Sequence, residues 1–116
     1  MDLMKEKSVS EAIQYRRSVR VFKDEALDNE KVKECIRLAT LAPTSSNMQL
    51  WEFYQITSAD VLEKLTQVSF NQNAAKTAKQ MVVVVARKDL WRKRVQSNVT
   101  FLKSQYGEKS ATDYSK

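Results

Sequence analysis

Residues 81–86 read MVVVVA, the longest apolar run in the chain and the stretch that decides its fold class. A run of β-branched residues this short is typical of a β-strand covered on both faces and falls well below the length of a membrane span. Residues 51–57 read WEFYQIT and predict a second strand, in which Trp51 and Phe53 are expected to be core residues. Since apolar residues elsewhere recur at helical spacing, the sequence predicts an α+β or α/β fold with one layer of sheet against helices, and of these two we expect α+β, with helices packed on a small sheet.

Two helices are predicted before the first strand. Ser8 and Glu11 have the spacing of a capping box, which predicts a helix beginning there. Asp28 is a candidate N-cap for a second helix, which Pro43 would end. On the apolar face of that helix, Cys35 is expected to be a buried small hydrophobe and not a redox thiol.

Further helices are predicted between and after the strands. A short helix should begin at residue 58, and another should span residues 71–80. A long helix is expected over residues 89–107, with Trp91 on its inner side and a glycine at its end.

The composition excludes several kinds of active site. With no His and one Cys, the chain lacks the usual residues of a transition-metal centre and of Ser–His or Cys–His catalysis. A single Gly also excludes a glycine-rich phosphate loop. Any chemistry is therefore expected to rely on a bound cofactor or an external partner. The first seven residues contain no apolar leader segment, so we expect a cytoplasmic protein.

A basic run lies at the end of the first predicted helix. Residues 16–20 read RRSVR, and at a period of two Arg16, Ser18 and Arg20 can face the same side. Guanidinium groups bind phosphate in a bidentate way, each charge-assisted bond contributing about 1.5–3 kcal/mol. Cations also suit a helix C-terminus, by about 0.3–1 kcal/mol. Taken alone, the run is better explained by the helix end.

A polar loop follows the second predicted helix. Residues 42–51 read APTSSNMQLW, in which hydroxyls and amides are crowded between a proline and a tryptophan. Such a loop can match the donors and acceptors at the edge of a heteroaromatic ring. Considered by itself, it is more simply explained as a turn rich in Ser and Asn.

In this order and spacing, the two motifs together resemble those of the nitroreductase family of FMN-dependent oxidoreductases. Members carry R-R-S-x-R-x-[FY] and later A-P-S-S-x-N-x-Q-P-W-x-F. This chain matches the first motif at Arg16, Arg17, Ser18, Arg20 and Phe22, and the second at Ala42, Pro43, Ser45, Asn47, Gln49, Trp51 and Phe53. It departs from the second motif with Thr44 for Ser and Leu50 for Pro. The resemblance extends over roughly residues 8–90.

The resemblance implies the N-terminal part of a nitroreductase-like FMN-binding fold and a homodimer with the flavin at its interface. Residues of the same subunit would hold the phosphate, the ribityl chain and the ring edge: Arg16, Arg17, Ser18, Arg20 and Asn71. Residues of the partner's polar loop would reach the same flavin: Pro43, Thr44, Ser45 and Asn47. Gln49 of that loop is also assigned to cofactor binding, and no residue is assigned as catalytic.

The resemblance also implies a reaction. NAD(P)H would give a hydride to flavin N5 in a ping-pong cycle, and the reduced flavin would pass electrons to a nitroaromatic, a quinone or a similar small acceptor. Family members continue well past this length, so we expect a truncated domain over residues 1–107. Residues 108–116 would form a polar tail or the start of a missing C-terminal half, and flavin affinity and activity would then be reduced or absent.

Two alternative hypotheses remain. A flavin-fold remnant without activity would act as an interaction protein and be colourless. A basic nucleic-acid-binding module is the weaker rival, with residues 87–94, RKDLWRKR, as its best evidence. Because Trp91 aligns with Val95 and Leu102, we expect these cations on a solvated helix face, and the chain contains no known recognition motif.

Overall fold

The structure is a computed structural model that describes residues 6–114. Two helices, α1 (Val9–Tyr15) and α2 (Asn29–Ala39), precede strand β1 (Trp51–Ile56). Helices α3 (Ala59–Val68) and α4 (Asn73–Thr77) connect β1 to strand β2 (Met81–Ala86), and α5 (Trp91–Tyr106) and α6 (Glu108–Tyr114) follow. The predicted α+β class is confirmed. The expectation of no leader segment falls mostly on residues 1–5, outside the described residues, as do the last two residues of the predicted tail.

The two strands form one antiparallel sheet. Trp51 lies opposite Ala86, and Ile56 lies opposite Met81. The backbone N–H of Arg87 donates to the carbonyl of Leu50 at 3.0 Å, which extends the pairing by one step. The polar loop before β1 therefore lies at the same end of the sheet as the chain leaving β2.

The described part of the chain is open. It measures 57 × 36 × 22 Å with a radius of gyration of 19.7 Å, whereas a compact domain of this length has about 13 Å. Val82 and Val84 of β2 are 41% and 60% exposed. The prediction that this strand is covered on both faces is not met within residues 6–114, because the described helices cover only part of the sheet. Exposure of this strand is what we expect of a truncated domain.

Other expected core residues are also only partly covered. Trp51 and Phe53 are half-buried and pack with their ring centroids 5.3 Å apart. Cys35 is exposed and Trp91 is 46% exposed, so the predictions that they face inward are wrong. Apolar spacing along a helix does not bury a side chain unless another element packs on that face, and here neither side chain is buried.

Local capping signals predict the helix starts well. The hydroxyl of Ser8 accepts from the N–H of Glu11, whose carboxylate accepts from the N–H of Ser8 at 2.7 Å. Asp28 caps α2 by accepting from the N–H of Glu30 at 3.0 Å. Gly107, with φ of +85°, ends α5 in a backbone conformation that favours glycine.

The extents of several helices differ from the prediction. Helix α2 ends at Ala39, before Pro43, because the N–H groups of Leu41 and Ala42 bond three residues back, as in a tighter turn, and not four. The helix predicted over residues 71–80 shortens to Asn73–Thr77, since Asn71 has a left-handed backbone and Ala78 is already extended. The polar stretch after Gly107 is helical; Ala111, 1% exposed, is buried where α6 packs on α5. The domain boundary at residue 107 stays a prediction.

No helix within residues 6–114 combines the length and the apolar character that a membrane crossing requires.

An ionic cluster stabilises the end of the sheet nearest the polar loop. The guanidinium of Arg87 contacts the carboxylate of Glu52 and donates to that of Asp89 at 2.8 Å. The hydroxyl of Tyr54 donates to the other oxygen of Glu52 at 2.7 Å. The hydrogen bond from Tyr54 and that from Arg87 hold the pKa of Glu52 below its ordinary value.

We predict that acid destabilises the fold partly through Glu52. Because its folded pKa lies below the ordinary 4.5, its stabilising effect is present above that pH and is lost as the pH falls through the folded pKa. The Glu52→Gln variant should therefore lose less unfolding free energy than the unchanged chain on going from neutral to acid pH. Urea titrations followed by circular dichroism measure this loss.

Glu63→Gln is the matched control for that titration, because Glu63 forms no ion pair within residues 6–114. An equal acid-induced loss in Glu52→Gln and in the unchanged chain would contradict the role given to Glu52.

Candidate functional site

The basic run begins where α1 ends. The N–H of Arg16 donates to the carbonyl of Ala12 at 3.0 Å, and the backbone then becomes extended. The guanidinium of Arg17 turns back and donates to the carbonyls of Gln14 and Arg16 at 2.8 and 3.0 Å. A helix C-terminus leaves carbonyls without partners, so the helix-end explanation accounts for the side chain of Arg17.

The other arginines of the run are differently placed. Neither Arg16 nor Arg20 forms an ion pair with a carboxylate within residues 6–114. Arg20 lines an open polar cleft of about 320 Å³, together with Asn71, Gln72, Asn73 and Ala74. The structure therefore brings two of the predicted site residues, Arg20 and Asn71, to one cleft. Ser18 is exposed.

Arg20 is held at this cleft by the segment that follows it. The N–H of Phe22 donates to the hydroxyl of Thr77 in α4 at 3.0 Å. Asp24 pairs with Lys79, whose hydrogen bond and charge lower the pKa of the aspartate. These contacts place residues 22–24 beside the junction of α4 and β2.

An amide cluster fixes the far end of the same segment. The side-chain N–H groups of Gln80 donate to the carbonyl of Leu27 at 2.9 Å and to the side-chain oxygen of Asn29 at 2.6 Å. Gln55 of β1 donates to the side-chain oxygen of Gln80 at 2.8 Å. The end of β1 and the residue just before β2 thus hold the segment that joins the basic run to α2.

Asn71 belongs to a turn with unusual backbone. Phe70 and Asn71 have φ of +57° and +52°, and Phe70 is 88% exposed. Left-handed backbone is uncommon outside glycine, although Asn tolerates it better than most residues. Such conformations cluster at functional sites, and this one adjoins the cleft that Arg20 lines.

The polar loop before β1 is also held in left-handed backbone. Ser46, Asn47 and Gln49 have φ of +49°, +50° and +50°. The hydroxyl of Thr44 accepts from the N–H of Gln49 at 3.1 Å, and the side chain of Gln49 donates to that of Asn47 at 3.1 Å. Thr44, Ser45 and Gln49 line a shallow cavity of about 270 Å³. Pro43, which precedes Thr44, is exposed.

The two groups of predicted site residues lie at opposite ends of the sheet. The polar loop enters β1 at Trp51, opposite Ala86, whereas α4 leads into β2 at Met81, opposite Ile56. A strand of this length spans about 17 Å. One chain therefore does not bring its polar loop to the cleft of Arg20 and Asn71.

Several positioning residues carry no local sequence signal. Thr77 and Gln80 act on backbone about fifty positions earlier in the chain, and Asn98 donates to the carbonyl of Ser46 at 2.7 Å. By contrast, the asparagines within the turns, Asn47 and Asn71, carry a local signal, because Asn tolerates left-handed backbone better than most residues.

We predict that Thr77→Val releases the segment that carries Arg20. Valine matches threonine in shape but offers no acceptor to the N–H of Phe22, and a hydrogen bond of this kind contributes about 0.5–1.5 kcal/mol. Hydrogen exchange at the Phe22 amide should therefore accelerate. Thr77→Ser keeps the hydroxyl and serves as the control; equal exchange rates in the two variants would contradict this anchor.

The chain is similar to known proteins over most of its length. The model of the nitroreductase family matches residues 13–112. A candidate NADH dehydrogenase/NAD(P)H nitroreductase of Archaeoglobus fulgidus is 29% identical over 83 residues, 66% of this chain and 48% of the relative. A candidate NAD(P)H nitroreductase of Bacillus subtilis is 34% identical over 86 residues, 72% of this chain and 41% of the relative.

A solved structure shares the fold. The candidate NAD(P)H:FMN oxidoreductase of Staphylococcus epidermidis superposes with a TM-score of 0.71 at 25% identity, over 97% of this chain and 55% of that one. The chain spans about half the length of these relatives. Because the family model covers most of the chain, this protein belongs to the nitroreductase family.

Proposed function

We propose that this chain is part of an FMN-dependent NAD(P)H oxidoreductase of the nitroreductase type, acting in the cytoplasm. The observation that carries the proposal is the cleft shared by Arg20 and Asn71, beside a basic run in which Arg16 and Arg20 have no carboxylate partner among the described residues. Family membership and the relatives' names, which include NAD(P)H nitroreductase and NAD(P)H:FMN oxidoreductase, support it.

The chemistry of the cleft fits a flavin mononucleotide. Guanidinium groups without carboxylate partners suit a phosphate, which assigns Arg16 and Arg20 to that group, with the hydroxyl of Ser18 as a further donor. The amide of Asn71 offers both a donor and an acceptor for the ribityl chain or the ring edge. Arg17 contributes by fixing the end of α1, since its guanidinium already binds backbone carbonyls.

When bound, FMN supplies hydride transfer at N5 between NAD(P)H and a small acceptor such as a nitroaromatic or a quinone. The part played by the chain is to bind and orient. Arg20, which lines the cleft, and Arg16, at the start of the same basic run, would hold the negative charge of the cofactor. A positive charge near the ring edge favours the anionic reduced form. The absence of histidine is compatible with this division of labour.

The distance between the two groups of site residues favours a homodimer. Pro43, Thr44, Ser45, Asn47 and Gln49 lie near the end of the sheet remote from Arg20. In a second copy related by two-fold symmetry, the same loop completes the cleft from outside. The open shape and exposed apolar side chains, such as Leu41 at 68%, supply surface for this association.

A second candidate is an interaction protein of the same fold without activity. Its support is the open apolar surface of a chain that spans about half the length of its relatives. This candidate predicts a colourless protein that retains no FMN through gel filtration. The enzyme predicts a yellow protein whose visible absorbance NAD(P)H bleaches without air.

We predict that Arg16→Ala combined with Arg20→Ala weakens FMN binding at least tenfold, because each lost charge-assisted hydrogen bond contributes about 1.5–3 kcal/mol. Quenching of flavin fluorescence measures the affinity. Arg92→Ala combined with Lys93→Ala removes the same charge from α5 and should leave the affinity within about twofold. Equal losses in both double variants would contradict a site at residues 16–20.

We also predict that two defective variants restore each other. One carries Arg16→Ala and Arg20→Ala, and the other carries Asn47→Ala and Gln49→Ala. If each site combines the basic run of one copy with the loop of another, a mixed dimer has one intact site. Co-refolding equal amounts should therefore restore about a quarter of the sites.

A site built within one chain gives a different result in that mixture. Each chain would then keep its own defect, and the mixture would bind no more FMN than the two variants separately. That result would contradict the shared site.

A further inference from the structure

The loop of residues 44–49 is held in backbone that its residues do not favour. Ser46, Asn47 and Gln49 are left-handed without being glycine. Most of the hydrogen bonds that support them are internal, such as that from the N–H of Met48 to the carbonyl of Ser45 at 3.0 Å. Internal bonds set the shape of the loop. Its orientation relative to the sheet depends on its junction with β1 and on contact with another element.

Helix α5 supplies that contact. The side-chain N–H of Asn98, half-buried in the middle of α5, donates to the carbonyl of Ser46 at 2.7 Å. The N–H of the same peptide, which belongs to Asn47, donates to the carbonyl of Thr44 at 3.0 Å. Because the carbonyl and N–H of a trans peptide point in opposite directions, this peptide plane is held from both sides.

We propose that Asn98 is a positioning residue that orients the cofactor-contacting loop by clamping the peptide between Ser46 and Asn47. This inference rests on the proposed function, in which residues 43–49 reach the FMN of a second copy. The clamp sets the direction of the Asn47 side chain, which in turn accepts from Gln49 at 3.1 Å. Asn98 therefore acts through the loop and does not touch the cofactor.

No local sequence motif marks Asn98 for this role. Its neighbours on α5 bond within the helix: the hydroxyl of Ser97 donates to the carbonyl of Lys93 at 3.0 Å, and that of Thr100 to Gln96 at 2.9 Å. Asn98 is instead directed across to a loop about fifty positions earlier in the chain. Ser97 is consequently a matched control on the same helix.

The test measures amide hydrogen exchange of the loop in the protein without FMN. Asn98→Ala removes the donor, and Asn98→Asp keeps the shape while placing an oxygen against the carbonyl of Ser46. In both variants the amides of Asn47 and Gln49 should exchange roughly three- to tenfold faster. Ser97→Ala should leave them unchanged, and circular dichroism should show the same helix content in all forms.

FMN affinity is measured in the same variants. We expect Asn98→Ala and Asn98→Asp to bind FMN roughly three- to tenfold more weakly, and Ser97→Ala to bind like the unchanged chain. Exchange rates of Asn47 and Gln49 that stay the same in both Asn98 variants would overturn the clamp. Faster exchange with unchanged affinity would overturn its role toward the cofactor.

Two separate measurements decide the proposed function and the role of Asn98. If the unchanged chain binds no FMN, the proposed function fails, and with it the role of Asn98 toward a cofactor. The exchange rates would still decide whether Asn98 holds the loop.

Discussion

The antiparallel pairing of β1 with β2 is the constraint on which the rest of the structure depends. Its register places Trp51 opposite Ala86 and Ile56 opposite Met81, and so determines which connecting segments share an end of the sheet. At one end lie the polar loop of residues 44–49 and helix α5, which the hydrogen bond from Asn98 to Ser46 joins. At the other end α4 leads into β2. Thr77 and Gln80, which lie at this junction, bind the segment that follows Arg20. The separation of the two groups of site residues follows directly from this register.

A two-stranded sheet with partly covered faces is a weak basis for a stable domain, because isolated strand pairs are marginal in water. The described residues bury few side chains fully, and β2 keeps Val84 60% exposed. The ionic cluster around Arg87 and the amide cluster around Gln80 strengthen the two ends of the sheet, but they do not cover its apolar faces. Association with a second copy would cover apolar surface and would also bring the polar loop to the cleft. Stability and cofactor binding are therefore linked in the proposed dimer.

The sequence predicts features that local chemistry controls. The capping box of Ser8 and Glu11, the cap at Asp28 and the valines of β2 all formed the expected elements, since each depends on neighbours a few positions away. Burial was predicted less well. Cys35 and Trp91 have apolar helical spacing yet are exposed, because burial depends on what packs against a face and not on the face itself. The motifs located candidate site residues, but the division of these residues between two ends of the sheet depends on strand register. The role of Asn98 depends on a contact far along the chain, which no motif shows.

The central claim is that one FMN contacts Arg20 and Asn71 of one copy and the polar loop of another. Mapping the amide chemical shifts of the labelled protein during an FMN titration tests it most directly. The account predicts shifts concentrated at Arg20, Asn71 and residues 44–49, all saturating together at one FMN per chain. Shifts at only one end of the sheet, shifts centred on Trp91, or none at all would contradict it.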